Sequence, residues 1–562
     1  METIYGNLKG LKPNQLKQLR RLYQQRLPGD RLATPEFAQR LAAVSTELRQ
    51  PVSAYFNRRG QVIRIGIGTV RQTQIPLLEL PRYGAERLSG IRCITTELKA
   101  GPPREAQLTA MALQRLDALV TLELTGEGFA KRGGGSTGYV KTTYLAHLIP
   151  HPEILWEVSP ATDLFDLGEQ DFLNLVENLE AEFRRQSDSQ AVEPGHDRVL
   201  IVALFTDRLS QQDYDDQLTE LQRLVESAGG DVLKIIQQRR SRPHPQTVIG
   251  EGKIAEIALA AQSIGASIVV FNRDLLPVQV RNLEREIGIR VVDRTEVILD
   301  IFAQRAKTGA GKLQVELAQL EYQLPRLTGR GQAMSRQGGG IGTRGPGETK
   351  LETERRAIQK RMSRLQRDVD QLQAHRARLR ERRQRQEIPS VALVGYTNAG
   401  KSTLLNVLTQ SEVYAADQLF ATLDPTTRQL RLADLDSLVV QNILLTDTVG
   451  FIHELPPPLV DAFRATLEEV TEADALLHLV DLSHPAWLGQ VRAVMAILAE
   501  MPVTPGPILL VLNKVDRVDC DRLQAAQEEF PQALFISARD RLGLDTLKQR
   551  LLQLVDYAGE PG

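Results

Sequence analysis

The chain contains 562 residues, with 69 Lys and Arg against 70 Asp and Glu and a formal net charge of -1. At roughly 150 residues per domain, this length predicts three or four domains. Hydrophobic residues make up 42% and charged residues 25%, which excludes a largely disordered or fibrous chain. The two cysteines, Cys93 and Cys520, exclude a disulfide framework and a cysteine zinc site, and they suit a reducing compartment. Because no apolar run reaches about 18 residues, we expect a cytoplasmic protein with no membrane segment.

The first predicted unit is residues 1–185, which end at a polar stretch. Residues 184–197 (RRQSDSQAVEPGHD) cannot bury a core, so residues 186–197 are predicted to be a linker. Residues 51–69 alternate around Asn57-Arg58-Arg59-Gly60, a pattern typical of a β-hairpin. We expect an α+β or α/β domain, and its sequence indicates no function. Its glycine-rich segment 131–138 lacks the Gly-Lys-Ser/Thr of a phosphate site and favours a surface loop.

Residues 198–305 are predicted to form a second domain, built on a parallel sheet. Helical patterns there alternate with short apolar runs of strand length at 198–204, 232–236, 267–271 and 290–292. Apolar strands separated by helices are typical of a parallel sheet with crossover connections. This region is therefore expected to be an α/β domain.

Residues 306–387 are predicted to be a basic region. Residues 298–324 show one long helical pattern, 329–347 are rich in glycine and arginine, and 350–387 are predicted to be an arginine-studded hairpin of two helices. From 325 to 387, about 17 Lys and Arg stand against about 7 Asp and Glu. Such an excess is the footprint expected for binding to a nucleic-acid backbone. Charge alone, however, favours a solvated helical hairpin.

The most specific motif lies near the start of residues 388–558. A strand pattern at 390–394 runs into GYTNAGKS at 395–402, and a helical pattern follows. This strand, glycine loop and helix start predict a phosphate-binding loop. Lys401 is predicted to supply a positive charge to the β- and γ-phosphates, and the Ser402 hydroxyl to ligate Mg²⁺. The predicted nucleotide contacts of this loop are Gly395, Asn398, Ala399, Gly400, Lys401, Ser402 and Thr403.

A second motif is predicted to recognise the base. A buried-strand pattern ends in Asn513-Lys514-Val515-Asp516. The Asp516 carboxylate can accept hydrogen bonds from N1–H and the exocyclic amine of guanine, a donor pair that adenine lacks. Asn513 can tie this loop to the phosphate-binding loop, and the aliphatic stem of Lys514 can lie over the base. Guanine O6 is predicted to meet a backbone N–H in the segment Ser537, Ala538 and Arg539.

Two segments between these motifs are predicted to sense the γ-phosphate. Asp447 follows a strand pattern and suits the outer shell of Mg²⁺, and the Gly450 N–H suits the γ-phosphate. Residues 419–427 (LFATLDPTT) are predicted to be a flexible connection that brings Thr422 onto Mg²⁺. Both segments can order on the γ-phosphate and be released on its loss. The predicted catalytic residues are therefore Lys401, Thr422 and Gly450, and the predicted metal ligands are Ser402 and Thr422.

With these motifs the chain resembles the HflX family, in the translation-factor class of P-loop GTPases. The resemblance rests on GYTNAGKS (395–402), LFATLDPTTR (419–428), DTVGFI (447–452), NKVD (513–516), SAR (537–539), VIGEGK (248–253) and GGGIGTRGPGETKLE (338–352). It covers about residues 198–557, so residues 1–185 lie outside it. It implies a multidomain α/β fold. A P-loop GTPase domain, with a mostly parallel sheet and helices on both faces, follows an α/β domain that carries an Arg-rich helical hairpin.

The resemblance also implies an activity and partners. It implies hydrolysis of GTP to GDP with Mg²⁺, binding to the large ribosomal subunit and its rRNA, and GTP-dependent dissociation of 70S ribosomes, especially stalled ones, under stress. We expect a monomer in solution. The residues that it places on the ribosome are Gly338, Gly339, Gly340, Arg344, Gly345 and Gly347.

Phe451 indicates a slow rate of GTP hydrolysis. Phe451 stands where many GTPases carry a water-orienting Gln, so we expect slow intrinsic hydrolysis that a partner must accelerate.

Two other functions remain open. One alternative is a nucleotide-dependent RNA-remodelling or RNA-binding protein with a second, ATP site in 198–305. Its candidate contacts are Gly250, Gly252 and Lys253, although a tight loop at a helix start is the simpler interpretation. The other alternative is a scaffold in which residues 1–185 recruit a protein partner.

Overall fold

The structure is a computed structural model that describes residues 3–75, 80, 87–125, 139–151, 154–189, 196–206, 210–329, 346–384, 388–410, 419–420, 425–433, 440–452, 469–499 and 506–558. Three β-sheets follow one another along this part of the chain. They define an N-terminal unit, a middle unit and a C-terminal unit, each built on a buried apolar core. No helix among these residues is both long and apolar enough to span a membrane.

The N-terminal unit contains a seven-stranded mixed sheet of order β1-β3-β2-β4-β5-β6-β7. Its strands are β1 (Ile4–Gly6), β2 (Val52–Asn57), β3 (Val62–Ile67), β4 (Ile91–Glu97), β5 (Ala118–Leu124), β6 (Val140–Leu148) and β7 (Trp156–Val158). Its helices are α1 (Pro13–Leu22), α2 (Pro35–Leu48), α3 (Val70–Thr73), α4 (Glu105–Leu113), α5 (Leu164–Glu169) and α6 (Phe172–Ser189). The predicted hairpin is confirmed, because β2 and β3 pair in antiparallel fashion.

The predicted linker 186–197 is partly wrong. Helix α6 continues to Ser189, and the first strand of the middle unit begins at Asp197. Ser and Gln are poor core residues, but they can extend a helix whose apolar face is already packed. Leu175 and Phe183 of α6 pack against the N-terminal core, so the helix is stabilised before it reaches the polar residues.

The middle unit is a four-stranded sheet of order β11-β10-β8-β9. All three strand pairs are parallel, so the predicted parallel sheet is confirmed. Its strands are β8 (Asp197–Phe205), β9 (Gly230–Arg239), β10 (Ile268–Phe271) and β11 (Arg290–Asp293). Its helices are α7 (Gln211–Ser227), α8 (Glu251–Ile264), α9 (Pro277–Ile287) and α10 (Arg294–Arg305). Ser210 begins α7 as an N-cap whose side chain accepts from the Asp213 N–H.

Two helical predictions for the basic region are wrong. The single pattern over 298–324 is divided between α10 and α11 (Gly309–Gln323), because Thr308 caps α11 by accepting from the Gly311 N–H at 3.0 Å. Over the described residues 350–384 there is no hairpin of two helices, since α12 (Pro346–Gln384) is one helix of 39 residues. The helical pair of this region consists instead of α11 and α12, and a 3₁₀ helix, Leu324–Gly329, follows α11.

The C-terminal unit is a six-stranded sheet of order β13-β14-β12-β15-β16-β17. Its strands are β12 (Ser390–Gly395), β13 (Thr426–Ala433), β14 (Val440–Asp447), β15 (Ala475–Asp481), β16 (Ile508–Asn513) and β17 (Leu534–Phe535). Its helices are α13 (Lys401–Thr409), α14 (Trp487–Ala499), α15 (Cys520–Glu529) and α16 (Leu544–Ala558), with a 3₁₀ turn at Val515–Arg517. Only β13 pairs in antiparallel fashion in the described sheet.

The parallel strands bring the predicted motifs to one edge of this sheet. Gly395, Asp447 and Asn513 are the last residues of β12, β14 and β16, and ligands of open α/β sheets bind at the carboxyl ends of the strands. The predicted flexible connection 419–427 is wrong at its end, since Thr426 and Thr427 belong to β13. The Thr427 hydroxyl lies 3.0 Å from the Thr446 hydroxyl on the neighbouring strand, which fixes this end of the segment.

Candidate functional site

The loop between β12 and α13 has the backbone of a phosphate cradle. Gly400 precedes α13 with φ +94°, and a Cβ at this position would lie 2.5 Å from the Asn513 Nδ2 atom. Only glycine therefore fits without displacing Asn513. Asn398 also has a positive φ, 62°, which Asn tolerates better than most residues. The loop thus ends with backbone N–H groups at a helix N-terminus, where anions bind.

Lys401 lies in the centre of this cradle and is only 7% exposed. Its ammonium donates to the carbonyl oxygens of Gly395 at 3.0 Å and Tyr396 at 2.8 Å. Burial lowers the pKa of Lys401 to about 8, and the charge of Asp447 opposes this shift. A nearby phosphate would favour the charged ammonium, so the site is electrostatically suited to a polyanion.

Ser402 and Asp447 form an oxygen cluster beside Lys401. The Ser402 hydroxyl donates to Asp447 Oδ2 at 2.6 Å, and Asp447 is fully buried. A hydroxyl and a carboxylate are hard oxygen donors of the kind that Mg²⁺ prefers, so these residues fit that ion. Gly450 lies close by, and a Cβ there would stand 2.7 Å from the Thr397 Cα and 3.0 Å from the Lys401 Nζ. Glycine therefore allows the segment after β14 to approach the phosphate-binding loop.

Asn513 joins three loops at the other end of the site. Its Nδ2 donates to the Ala399 carbonyl at 2.9 Å, and its Oδ1 accepts from the Ala538 N–H at 3.0 Å. Because Asn513 is 2% exposed, both hydrogen bonds are shielded from water. The sequence predicts the first of these links. The second also places the Ser537-Ala538-Arg539 segment against the base-recognition loop.

The two charged residues of that loop take different positions. Lys514 Nζ pairs with Asp481 Oδ2 at 2.8 Å, which holds the lysine stem across the end of β15 and β16. Asp516 lies in the 3₁₀ turn, with its Oδ2 3.9 Å from Arg517 Nε. Asp481 was missed in the sequence. Its signal is an acidic residue at the end of residues 475–480, which are apolar except for His478, and in the sheet it pairs with Asn513.

Phe451 packs into the C-terminal unit. Its side chain is 5% exposed and lies in an apolar cluster with Val394 and Val470. Its backbone N–H donates to the Gly395 carbonyl at 3.0 Å, and its carbonyl accepts from the Thr397 N–H at 2.8 Å. The segment after Asp447 is thus bonded directly to the phosphate-binding loop, and the Phe451 side chain offers nothing to orient a water molecule.

Both predicted γ-phosphate sensors contact the middle unit, which the sequence did not indicate. Leu419 and Phe420 on one side, and Val449 and Ile452 on the other, are buried in the core cluster of the middle unit. The Phe420 ring packs edge-to-face on Phe302 of α10, with centroids 4.8 Å apart.

A polar contact joins the phosphate-binding loop to the same unit. The Tyr396 hydroxyl donates to Glu220 on α7, and Glu220 also pairs with Arg294 of α10 at 2.5 Å. Glu220 and Arg294 are 12% and 15% exposed at their side chains, so this pair is partly shielded from water. The nucleotide site is thus fixed to the middle unit by polar as well as apolar contacts.

Several predicted residues lie outside the described part of the chain. These are Thr422, the segment 131–138, and the predicted ribosome contacts Gly338, Gly339, Gly340, Arg344 and Gly345. Gly347 lies in the first turn of α12.

The candidate ATP contacts around Gly250 are occupied by protein groups. The Gly250 N–H donates to Gln238 Oε1 at 3.2 Å, and Lys253 pairs with Glu256 at 2.7 Å. This geometry matches a tight loop at the start of α8, and it does not favour a second nucleotide site there.

Comparison with known proteins places this arrangement in a family. Residues 215–303 match the model described as GTP-binding GTPase N-terminal, and 305–383 match GTP-binding GTPase Middle Region. Residues 390–514 match the model described as 50S ribosome-binding GTPase. GTPase HflX of Alkalihalophilus pseudofirmus is 50% identical over 321 residues, which are 57% of this chain and 74% of that protein. The chain belongs to the HflX family of GTPases.

A second HflX protein and one solved structure are also similar to this chain. GTPase HflX of Escherichia coli K12 is 46% identical over 362 residues, which cover 64% of this chain and 83% of that protein. A crystal structure of SsGBP in complex with GDP is 26% identical and covers 65% of this chain and 100% of that one, with a TM-score of 0.37. Membership of the HflX family and the match to the GTPase model show that the protein is a GTP-hydrolysing enzyme that binds GTP and GDP.

Proposed function

We propose that the GTP-bound protein, with Mg²⁺ on Ser402 and Thr422, binds the large ribosomal subunit in the cytoplasm and promotes dissociation of stalled 70S ribosomes under stress. Hydrolysis to GDP then permits release. The observation that carries this proposal is a continuous packed path from the nucleotide site to the basic helix α12. The matching family description, 50S ribosome-binding GTPase, supports the choice of partner.

The path begins at the predicted γ-phosphate sensors. Leu419, Phe420, Val449 and Ile452 share one core cluster with Val315, Ala318 and Tyr322 of α11. A second cluster then joins Leu317 of α11 to Leu365 and Val369 of α12. The path ends in an ion pair between Arg361 of α12 and Glu316 of α11 at 2.8 Å. Because packed cores have discrete arrangements, a change at the sensors can move α12 as a body.

The outer face of α12 supplies a surface for RNA phosphates. Arg355, Lys360 and Arg364 are exposed, and none of the ion pairs found within the described ranges includes them. Cations of this kind bind the backbone of structured RNA by charge and shape rather than by base sequence. The segment before α12, with Gly338, Gly339, Gly340, Arg344, Gly345 and Gly347, is proposed to contact rRNA beside it.

Phe451 supports slow hydrolysis in the absence of the ribosome. Its side chain is buried among apolar groups, so it cannot orient the attacking water. We propose an intrinsic rate near the ~10⁻⁴ s⁻¹ of unassisted GTPases, with Lys401, Thr422 and Gly450 acting on the phosphates. The ribosome would then supply the missing positioning of the water or of the sensors.

Sucrose-gradient sedimentation tests the proposal. Purified 70S ribosomes are mixed with the protein and a non-hydrolysable GTP analogue, and 30S and 50S peaks should replace the 70S peak. Lys401→Ala should abolish the effect, because it removes the phosphate-binding ammonium. A shift that is identical with GDP, or no association with 50S particles, would contradict the proposal.

A charge variant tests the surface of α12. Combined substitution of Arg355, Lys360 and Arg364 by Gln should weaken 50S binding. The slope of the logarithm of the binding constant against the logarithm of the salt concentration should also become shallower by about one unit for each phosphate contact that is lost. The matched control replaces three exposed arginines on other helices, Arg40, Arg281 and Arg550. Equal binding by both triple variants would exclude α12 as the RNA surface.

A further inference from the structure

The N-terminal unit, which the matched family models do not reach, contains a cleft of about 600 Å³. It lies between the β2–β3 turn and residues 87–91. Its polar lining includes Arg58, Arg59, Arg64, Arg87, Ser89 and Glu180. Four arginines line the cleft with one carboxylate, and a second carboxylate, Asp117, pairs with Arg58 behind its wall. Positive charge still exceeds negative charge, which suits an anionic ligand.

Two carboxylates hold one wall of the cleft in place. Arg58 pairs with Asp117 at 2.7 Å and with Glu180 at 2.6 Å. The same two carboxylates also accept hydrogen bonds from the backbone on both sides of Ser89. The Gly90 N–H donates to Asp117 at 2.8 Å, and the Leu88 N–H donates to Glu180 at 3.2 Å. Arg58 and Ser89 are thus preorganised by one network.

Ser89 carries the clearest sign of a missing partner. The residue is 5% exposed, and its Oγ has no hydrogen-bond partner among the residues that the structure describes. Buried hydroxyl groups in folded proteins nearly always have a partner. Since Ser89 lines the cleft, a ligand oxygen there would satisfy its hydroxyl.

Two arginines of the cleft are available to a ligand. Arg59 and Arg87 are exposed, and within the described ranges no ion pair or side-chain hydrogen bond is found for either guanidinium. Guanidinium groups bind phosphate oxygens in pairs and with favourable geometry. The Arg64 guanidinium carbon lies 3.5 Å from the centroid of the Tyr5 ring, and this side chain adds positive charge to the wall of the cleft.

Apart from Asn57 and Gly90, the remaining lining is apolar or aromatic, and it limits the size of the ligand. Ile63, Ile75, Leu88 and Ile91 contribute aliphatic surface beside the Tyr5 ring. The volume lies within the range of about 300–1,000 Å³ that is typical of small-molecule sites. A polyanion with a compact ring-bearing body fits such a cleft better than an extended RNA strand does.

We propose that this cleft binds a nucleotide-sized ligand with two or more phosphate groups, independently of the GTPase site. Arg59 and Arg87 bind the phosphates, Ser89 donates to a phosphate oxygen, and the aliphatic wall contacts the body of the ligand. The ligand would act on a domain whose helix α3 pairs Arg71 with Glu251 of the middle unit at 3.5 Å.

Calorimetry on the full chain tests this site. The protein is first saturated with GDP and Mg²⁺ so that the phosphate-binding loop is filled, and it is then titrated with ATP and, separately, with inorganic tripolyphosphate. Each probe should bind at one site per chain in addition to the GTPase site that GDP occupies. R59Q/R87Q should weaken ATP binding at least tenfold, and Ser89→Ala should weaken it about tenfold, as for a hydrogen bond to a charged group.

The matched control replaces two other exposed arginines of the N-terminal unit, Arg40 and Arg185, and should leave the affinity unchanged. Because Arg59 and Arg87 are exposed, the thermal unfolding of the double variant should match that of the unchanged protein. Absence of a second binding event, or equal affinity in all variants, would overturn the proposal. The proposal would also be overturned if the unchanged protein bound no ATP and R59Q/R87Q lost affinity for a single-stranded RNA oligonucleotide.

Discussion

Phe420→Ala tests whether the first predicted γ-phosphate sensor, residues 419–427, is fixed to the middle unit. The Phe420 ring is 2% exposed and packs edge-to-face on Phe302 at 4.8 Å. Removing a buried Phe side chain costs about 3–5 kcal/mol, of which the aromatic pair supplies about 0.5–1.5 kcal/mol. The free energy of unfolding of the nucleotide-free protein should therefore fall by about 3–5 kcal/mol in urea titrations followed by tryptophan fluorescence.

The control is Phe165→Ala, since Phe165 is 69% exposed and its loss should cost less than about 0.5 kcal/mol. A double-mutant cycle with Phe302→Ala should return a coupling energy of about 0.5–1.5 kcal/mol. If Phe420→Ala costs less than about 1 kcal/mol, or if the coupling is zero, the two rings do not pack as described.

The same variant has a consequence for nucleotide binding. We expect that GTP, by drawing Thr422 onto Mg²⁺, moves Phe420, two residues earlier, away from its position in the middle unit. Weakening that position should raise the affinity for a GTP analogue relative to GDP, because less docking energy opposes the GTP state. An unchanged ratio of the two affinities would show that the sensor moves without leaving Phe302.

Three further predictions concern the nucleotide site. Asp516→Asn should weaken GTP binding and favour xanthine nucleotide, since an amide replaces one acceptor with a donor; unchanged GTP affinity in a fluorescence titration would contradict the assigned pairing. Asn513→Ala removes two buried hydrogen bonds and should lower GDP affinity at least tenfold, whereas the exposed Asn178→Ala should have no effect. Burial and the charge of Lys401 lower the pKa of His478 to about 4. Because the folded state keeps this imidazole neutral while the unfolded state protonates, stability should fall by up to about 3 kcal/mol as the pH drops from about 6.5 to 4. His478→Leu should remove that loss in urea titrations across this range.

The chemistry of the nucleotide site could be predicted from the sequence because it is local. A phosphate-binding loop needs its glycines, lysine and hydroxyl within a few residues of one strand and one helix, so Gly395 to Thr403 carry their own structural context. The base-recognition residues likewise belong to one strand end, since Asn513 is the last residue of β16 and Asp516 comes three residues later. Parallel strands then bring both motifs to the same edge of the sheet.

Helix boundaries in the basic region could not be predicted as well. Polar and arginine-rich residues are compatible with helix almost anywhere, so composition did not show that α12 continues unbroken from Pro346 to Gln384. Packing of Leu365 and Val369 on α11 decides where this helix lies. The break before α11 depends on one cap, Thr308, whose effect the apolar spacing did not reveal.

The amino-acid sequence by itself determined the GTPase motifs, the parallel sheets and the basic character of residues 325–387, since each depends on neighbouring residues or on simple periodicity. Only the tertiary structure decided which distant groups meet. Tyr396 and Glu220 are 176 residues apart, and Arg58 and Glu180 are 122 residues apart. Such pairs depend on which faces of distant chain segments pack together, between two units for Tyr396 and Glu220 and within the N-terminal unit for Arg58 and Glu180. No local pattern encodes that choice, because the free energy comes from burying both faces at once.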